Sequence, residues 1–214
     1  MKNLILISFL AILFSGCHIS LCHSWYKDKG GEVKRNLNSY FSNPDSSYLY
    51  LAEIRFLKNY YSGIVVIKPQ NEDLHRVVFM TEMGVKIFDY EISNPIEKRD
   101  FYKIHYILEP LSRKIIKKTF ANDFGSLLLN PKKSNRTIYT NKSGEQIVKI
   151  KNRSKRYFYV FTKDSEKFNK IQIEKCLQKK AELVFWGEDN AQPDSVQINH
   201  IGLKLNYTFR KLKQ

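Results

Sequence analysis

The chain has no apolar stretch long enough to cross a bilayer. Leu4 to Phe14, interrupted by Ser8, covers eleven residues, whereas a spanning helix needs about twenty. Signatures of common enzyme classes are also missing: there is no Gly-x-Ser-x-Gly elbow, no glycine-rich phosphate loop and no His-Glu-x-x-His. The nucleophile, phosphate cradle and zinc pair that those patterns supply are therefore not expected, and the chain reads as a non-enzyme with no catalytic residue. Its three cysteines (Cys17, Cys22, Cys176) and five histidines (His18, His23, His75, His105, His200) are scattered, so no metal site is expected. Negative charge is scarce, with 21 acidic against 36 basic residues and a net charge of +15. Such a balance favours anionic partners.

Aromatic residues are plentiful, with 14 Phe and 13 Tyr in a chain that is 43% hydrophobic. A disordered chain would not carry that load, and the length suits one domain. At the start, Lys2 precedes the apolar run, and Ser15-Gly16 precede Cys17. A short basic region, an apolar core and two small residues before a cysteine follow the plan of a bacterial lipoprotein signal peptide. The pattern resembles the lipobox. That resemblance implies residues 1–16 as signal, diacylglycerol and N-acyl lipid on Cys17, and anchoring to membrane lipid. Cleavage to a free secreted protein is the competing outcome, and Cys22 is a second acceptor, disfavoured by the bulky Leu21 before it.

Export makes phospholipid or lipopolysaccharide head groups the expected anionic partners, and nucleic acid is not expected. Solvated lysines in a composition rich in Lys, Asn and Ile are the alternative. Cys22 and Cys176 stand either as a disulfide pair or as two free thiols. Residues 17–44 read as a tether, and a single domain is expected over 45–214. No acidic pair follows Cys17, so the anchor carries no evident retention signal, and the expected address is the outer membrane facing the periplasm.

Within the domain, Ser47 to Lys58 fits either a strand or a short helix. Tyr60 to Lys68, His75 to Glu82 and Val85 to Ile92 are β-branched or alternating runs separated by Pro69 to Asp73 and Met83-Gly84, an antiparallel meander. Asp89 and Glu91 take its wet face as solvated charges. Phe101 to Leu108 is a further extended segment. Pro110 then opens one helix to about Leu129, with Leu111, Ile115, Phe120, Phe124 and Leu127 as its apolar stripe. Arg113, Lys114, Lys117 and Lys118 form two i,i+4 pairs on it. They are candidate contacts to anionic lipid, or else the solvated face of a helix packed on a sheet.

Further strands follow at Arg136 to Asn141, Gln146 to Lys151, Arg156 to Lys163, Lys170 to Cys176 and Ala181 to Trp186. Val196 to Phe209 shifts parity at Asn199-His200, which predicts one long last strand bent at a bulge. The fold class is mainly β (α+β): a curved antiparallel sheet or half-barrel of 8–11 strands with one inserted amphipathic helix. A closed barrel or sandwich is the alternative.

Gly63-Ile64-Val65-Val66-Ile67 leading into Arg76-Val77-Val78-Phe79, then Met83 to Asp89 and the terminal Ile201-Gly202-Leu203-Lys204-Leu205, resemble small lipoproteins of Bacteroidota. Their layout is similar to the LolA/LolB class of lipoprotein carriers and receptors. The resemblance implies an apolar groove that takes acyl chains or other lipoproteins, at roughly 0.8 kcal/mol per buried methylene. Val65, Ile67, Val77, Phe79, Phe88 and Tyr90 would line it, or would be core packed beneath the helix. In the second case the protein is a structural or interaction lipoprotein with a filled core.

Overall fold

A computed structural model describes residues 26–27, 37, 40–94, 100–129, 136–140, 145–152, 154–162, 167–187 and 192–212. The signal segment, Cys17, Cys22 and the 141–144 turn lie outside them. The strands are β1 (Tyr26–Lys27), β2 (Tyr48–Phe56), β3 (Asn59–Asn71), β4 (Leu74–Met80), β5 (Lys86–Ser93), β6 (Tyr102–Ile107), β7 (Arg136–Thr140), β8 (Gln146–Asn152), β9 (Lys155–Phe161), β10 (Phe168–Lys175), β11 (Gln178–Trp186), β12 (Ser195–His200) and β13 (Leu205–Lys211). One helix, α1 (Lys114–Leu128), is inserted after β6. All thirteen strands join one antiparallel sheet in the order β1-β7-β8-β9-β10-β11-β12-β13-β2-β3-β4-β5-β6.

β2 settles as a strand because its burial alternates strictly. Tyr48, Tyr50, Ala52, Ile54 and Phe56 are buried, with less covered residues between them, the period of a sheet with one packed face. The neighbours obey the same parity: Tyr50 lies opposite Val65, Val65 opposite Phe79 and Phe79 opposite Phe88. Register shifts at Phe79/Met80, Asp89/Tyr90 and Ile173/Glu174 bend the sheet, as bulges do.

The curl is visible in what α1 touches. The Phe120 ring is 6.3 Å from that of Tyr90 on β5 and 5.1 Å from that of Tyr207 on β13. Those strands are four places apart and would stand about 19 Å apart in a flat sheet. A single side chain reaches both because the sheet wraps round it. β1 and β6 are the two ends of the strand order and do not pair with each other, so the sheet is curved and unclosed.

Three expectations are corrected. Val196 to Phe209 is a hairpin, not one bent strand: Val196 pairs with Phe209 and Ile198 with Tyr207, and the parity shift is the turn at Ile201 to Lys204. Among the described residues, that hairpin, the resolution of β2 and the two-residue β1 bring the strands to thirteen, above the expected 8–11. Pro110 sits in a separate 3-10 turn, Glu109–Leu111. The extended backbone at Arg113 (ψ 134°) interrupts the chain, and α1 begins at Lys114. Its buried stripe accordingly uses Ile116 in place of Ile115, which is 62% exposed. Asp89 is not a solvated charge, being 1% exposed under Arg76 and Lys86.

Core packing also reaches upstream of residue 45. Leu37, Tyr40 and Phe41 are buried. Tyr40 stacks on Phe185 at 5.4 Å and donates its hydroxyl to the Phe168 carbonyl, while Phe41 meets Tyr48 edge-on at 5.2 Å. This segment fills the concave side where α1 does not reach.

Candidate functional site

The concave face between β13 and β5 is the candidate site, and α1 is its cover. Phe88 lies at its centre, its ring 5.4 Å from Phe79, 5.0 Å from Phe120 and 5.6 Å from Phe124. The six groove-lining candidates all point to this side. Val65, Ile67, Val77, Phe79, Phe88 and Tyr90 each have 0% exposure, so all six are packed in the core, and Phe88 and Tyr90 are the two whose rings meet Phe120 and Phe124 of α1. Tyr90 donates its hydroxyl to the Lys117 carbonyl of the helix, and burial raises its pKa well above the ordinary phenol value by disfavouring the phenolate.

Arg113, Lys114, Lys117 and Lys118 are brought together on the outer side of this cover; Lys117 is half-buried and the others are exposed. They sit in the first turns of α1 with no acidic residue among them. Four cations at a helix N-terminus oppose the helix dipole. Their placement is therefore a local electrostatic cost that the helix itself does not require.

The C-terminal half of α1 is tied to the sheet by a polar cluster that no sequence pattern announces. Asp123, 2% exposed, accepts a hydrogen bond from the Tyr207 hydroxyl at 2.8 Å. His200 approaches the same carboxylate, with Nε2 3.0 Å from Oδ2. That approach is off the line of a hydrogen bond, and Nε2 has no aligned partner. On the other side of the ring, Nδ1 lies 2.7 Å from the Leu205 carbonyl. A carbonyl only accepts, so Nδ1 carries a proton. With a carboxylate facing Nε2, the imidazolium is the form that suits both neighbours.

Burial disfavours the His200 charge, but the attraction of Asp123 and the contacts to Asp123 and Leu205 outweigh it, and the pKa is raised. Burial lowers the pKa of Lys155 nearby, against the pull of Asp123. The polar atoms of the cluster face one another across the helix–sheet contact. They form a latch, and the chemistry they support is proton exchange coupled to how tightly α1 is held.

Beside the latch the surface opens. Arg55, Leu57, His200, Gly202, Leu203, Lys204 and Asn206 line a hollow of about 540 Å³ between the β2–β3 and β12–β13 turns. Those turns are joined by the Leu57 N–H donating to the Lys204 carbonyl. Among the described residues no group of three metal-ligating side chains occurs, and no helix is long and apolar enough to cross a membrane. Cys176 is free and exposed.

No family model and no curated protein matches the chain. Solved structures to which it is similar include a LolA superfamily protein from Nitrosomonas europaea, with 7% identity, a TM-score of 0.46 and coverage of 82% of this chain and 88% of that one. A domain of an outer-membrane lipoprotein-sorting protein from Vibrio parahaemolyticus is also similar, with 7% identity, a TM-score of 0.40 and coverage of 78% and 84%.

Proposed function

We propose that the protein is a lipoprotein of the cell envelope, anchored through lipid on Cys17, whose half-barrel receives an acyl chain of a lipid or of another lipoprotein beneath α1. The supporting observation is the cover itself. The aromatic-lined stretch of the concave face between β13 and β5 is covered by one helix, and the tie at its C-terminal half is a titratable pair beside a surface hollow. Swinging α1 aside would exchange Phe120 and Phe124 for an acyl chain against Phe79, Phe88 and Tyr90. Burial would favour such a chain by roughly 0.8 kcal/mol per methylene, and no catalytic group would be needed.

A second reading is an interaction lipoprotein with a permanently filled core, favoured by the complete burial of all six lining residues. Native mass spectrometry with an S-palmitoylated peptide separates the two. The transfer reading expects a one-to-one adduct, strengthened by Asp123→Asn, which loosens the cover. A protein that stays empty at saturating peptide, with or without Asp123→Asn, belongs to the second reading. Mass analysis of the N-terminus tests the anchor, and an unmodified Cys17 would sink it.

A further inference from the structure

The two rims of the half-barrel differ in chemistry. The register places the β2–β3, β4–β5, β8–β9, β10–β11 and β12–β13 turns at one end, because Phe56 pairs with Asn59 and with Leu205, Met80 with Lys86, and Lys175 with both Gln178 and Lys155. α1 starts at this end too, after β6 finishes opposite Phe88, and crosses from Tyr90 to His200.

Ten large apolar or aromatic side chains are exposed among the described residues, and all but Leu51 and Trp186 lie at this rim. Leu57, Met83, Val85, Leu177 and Ile201 stand on its turns and Ile115 on the first turn of α1, between 49% and 92% exposed. Exposed Lys58, Lys151, Lys175 and Lys204 stand among them, with no carboxylate partner in the described residues, alongside Arg113, Lys114 and Lys118, and they outnumber the exposed Glu82 and Glu109 at the same rim. The described turns of the opposite rim carry Asp45, Glu72, Asp73, Asp100 and Asp194, all exposed, with Lys167 set over the Tyr40 ring.

Backbone geometry makes the apolar tips harder to dismiss as incidental. Cys176 and Leu177 have φ of 51° and 65°, and Leu57 has φ of 55°. Glycine or asparagine is the favoured residue at such left-handed positions, and a bulky side chain there is strained. Leucine at these tips serves neither the turn nor solubility, and an outlier of this kind points to function.

We infer that this rim docks on an anionic phospholipid surface, its lysines at the phosphates and its Leu57, Met83, Leu177 and Ile201 tips inserted among the acyl chains. Charge complementarity selects the partner: scattered cations interleaved with single apolar side chains match an interface that is anionic outside and apolar a few ångströms deeper. The acidic rim then faces away from the membrane, and the hollow beside His200 opens onto it. Docking stands whether or not the interior takes an acyl chain.

The full chain with Cys17→Ser and Cys22→Ser keeps Cys176 as its sole thiol and cannot be acylated at Cys17. An environment-sensitive dye on Cys176 reports insertion, and the same dye at Asp73→Cys, with Cys176→Ser, reports the opposite rim. With vesicles of brominated phosphatidylglycerol the dye at Cys176 blue-shifts and is quenched, whereas the dye at position 73 is not. Each of Lys58→Gln, Lys175→Gln and Lys204→Gln weakens the response about fivefold, about 0.5 M salt suppresses it, and Met83→Ser with Ile201→Ser abolishes the blue shift. Equal quenching at both rims, or an equal response to phosphatidylcholine, overturns the inference. So does an unquenched Cys176 dye in a chain that binds double-stranded DNA irrespective of the tip substitutions, which would assign the rim to nucleic acid.

Discussion

Two buried histidines respond to pH in opposite senses. His200 has a pKa raised above its ordinary 6.5. The ion pair with Asp123 therefore contributes stability that is fully present below about pH 6.5 and is lost as pH rises through the folded-state value. His75 is the reverse case. Its Nε2 meets the Phe41 carbonyl at 3.2 Å and so carries the proton, while Nδ1 has no partner. Burial, only partly offset by Phe41 and Asp73, lowers its pKa below 6.5, so the neutral ring is stable above that value and its stabilisation is lost as pH falls through the folded-state value. Thermal midpoints measured from pH 5 to 9 should therefore lose their alkaline decline in His200→Gln and soften their acid decline in His75→Gln. A profile unchanged by both substitutions would refute the assignment.

Asp89 is a residue-scale test on the outer face. Burial pushes its pKa up, but hydrogen bonds from Arg76 at 2.9 and 3.0 Å and from Lys86 at 2.8 Å outweigh that, and the pKa is lowered. Asp89→Asn should cost about 1.5–3 kcal/mol in denaturant unfolding. Arg76→Ala should cost more than Asp89→Asn, because it leaves a buried carboxylate with Lys86 as its one remaining cation, whereas the second variant frees cations that reach solvent. The opposite ranking would show that the cation, not the carboxylate, is the costly partner to leave.

At the scale of elements, α1 and the β3–β4 contact dominate. Phe120→Ala removes the ring that bridges Phe88 and Tyr207 and should cost about 3–5 kcal/mol, measurable in urea. Gly63 has no room for a side chain, since a Cβ would stand 2.1 Å from the Met80 carbonyl oxygen. Gly63→Ala should therefore destabilise by about 3 kcal/mol.

The meander around Gly63 was legible because its β-branched residues alternate and its turns are marked by Pro69 to Asp73 and Gly84. The β12–β13 hairpin was not. Its turn contains Ile201 and Leu203 where polar residues were expected, so the apolar pattern ran through it as though it were one strand. α1 was legible as a helix, and Leu111, Phe120, Phe124 and Leu127 of its expected stripe are buried; only Ile115 was misread for its neighbour Ile116, because the two side chains are identical and the backbone break at Arg113 decides which is buried. The latch was illegible for a different reason. Tyr207 and Asp123 are 84 residues apart, and nothing local marks the pair.

For the whole molecule, the curved sheet encloses more space than one helix fills, and the remainder is occupied from outside the sheet's own hairpins. Leu37, Tyr40 and Phe41 pack against Phe168, Phe185, Tyr48 and Tyr50, with His75 reaching the Phe41 carbonyl. The 17–44 stretch reads as polar because these three side chains are too few to form a periodic run, yet burying each is worth about 1.5–3 kcal/mol. A chain shortened to begin at residue 45 would expose the faces of Phe168 and Phe185 and leave His75 without its acceptor. It should unfold at a midpoint lower by about 10 °C or more than a chain beginning at residue 30, since losing even a few kcal/mol shifts a domain of this size by that much. Equal midpoints would mean that the segment rides on the surface of a core complete without it.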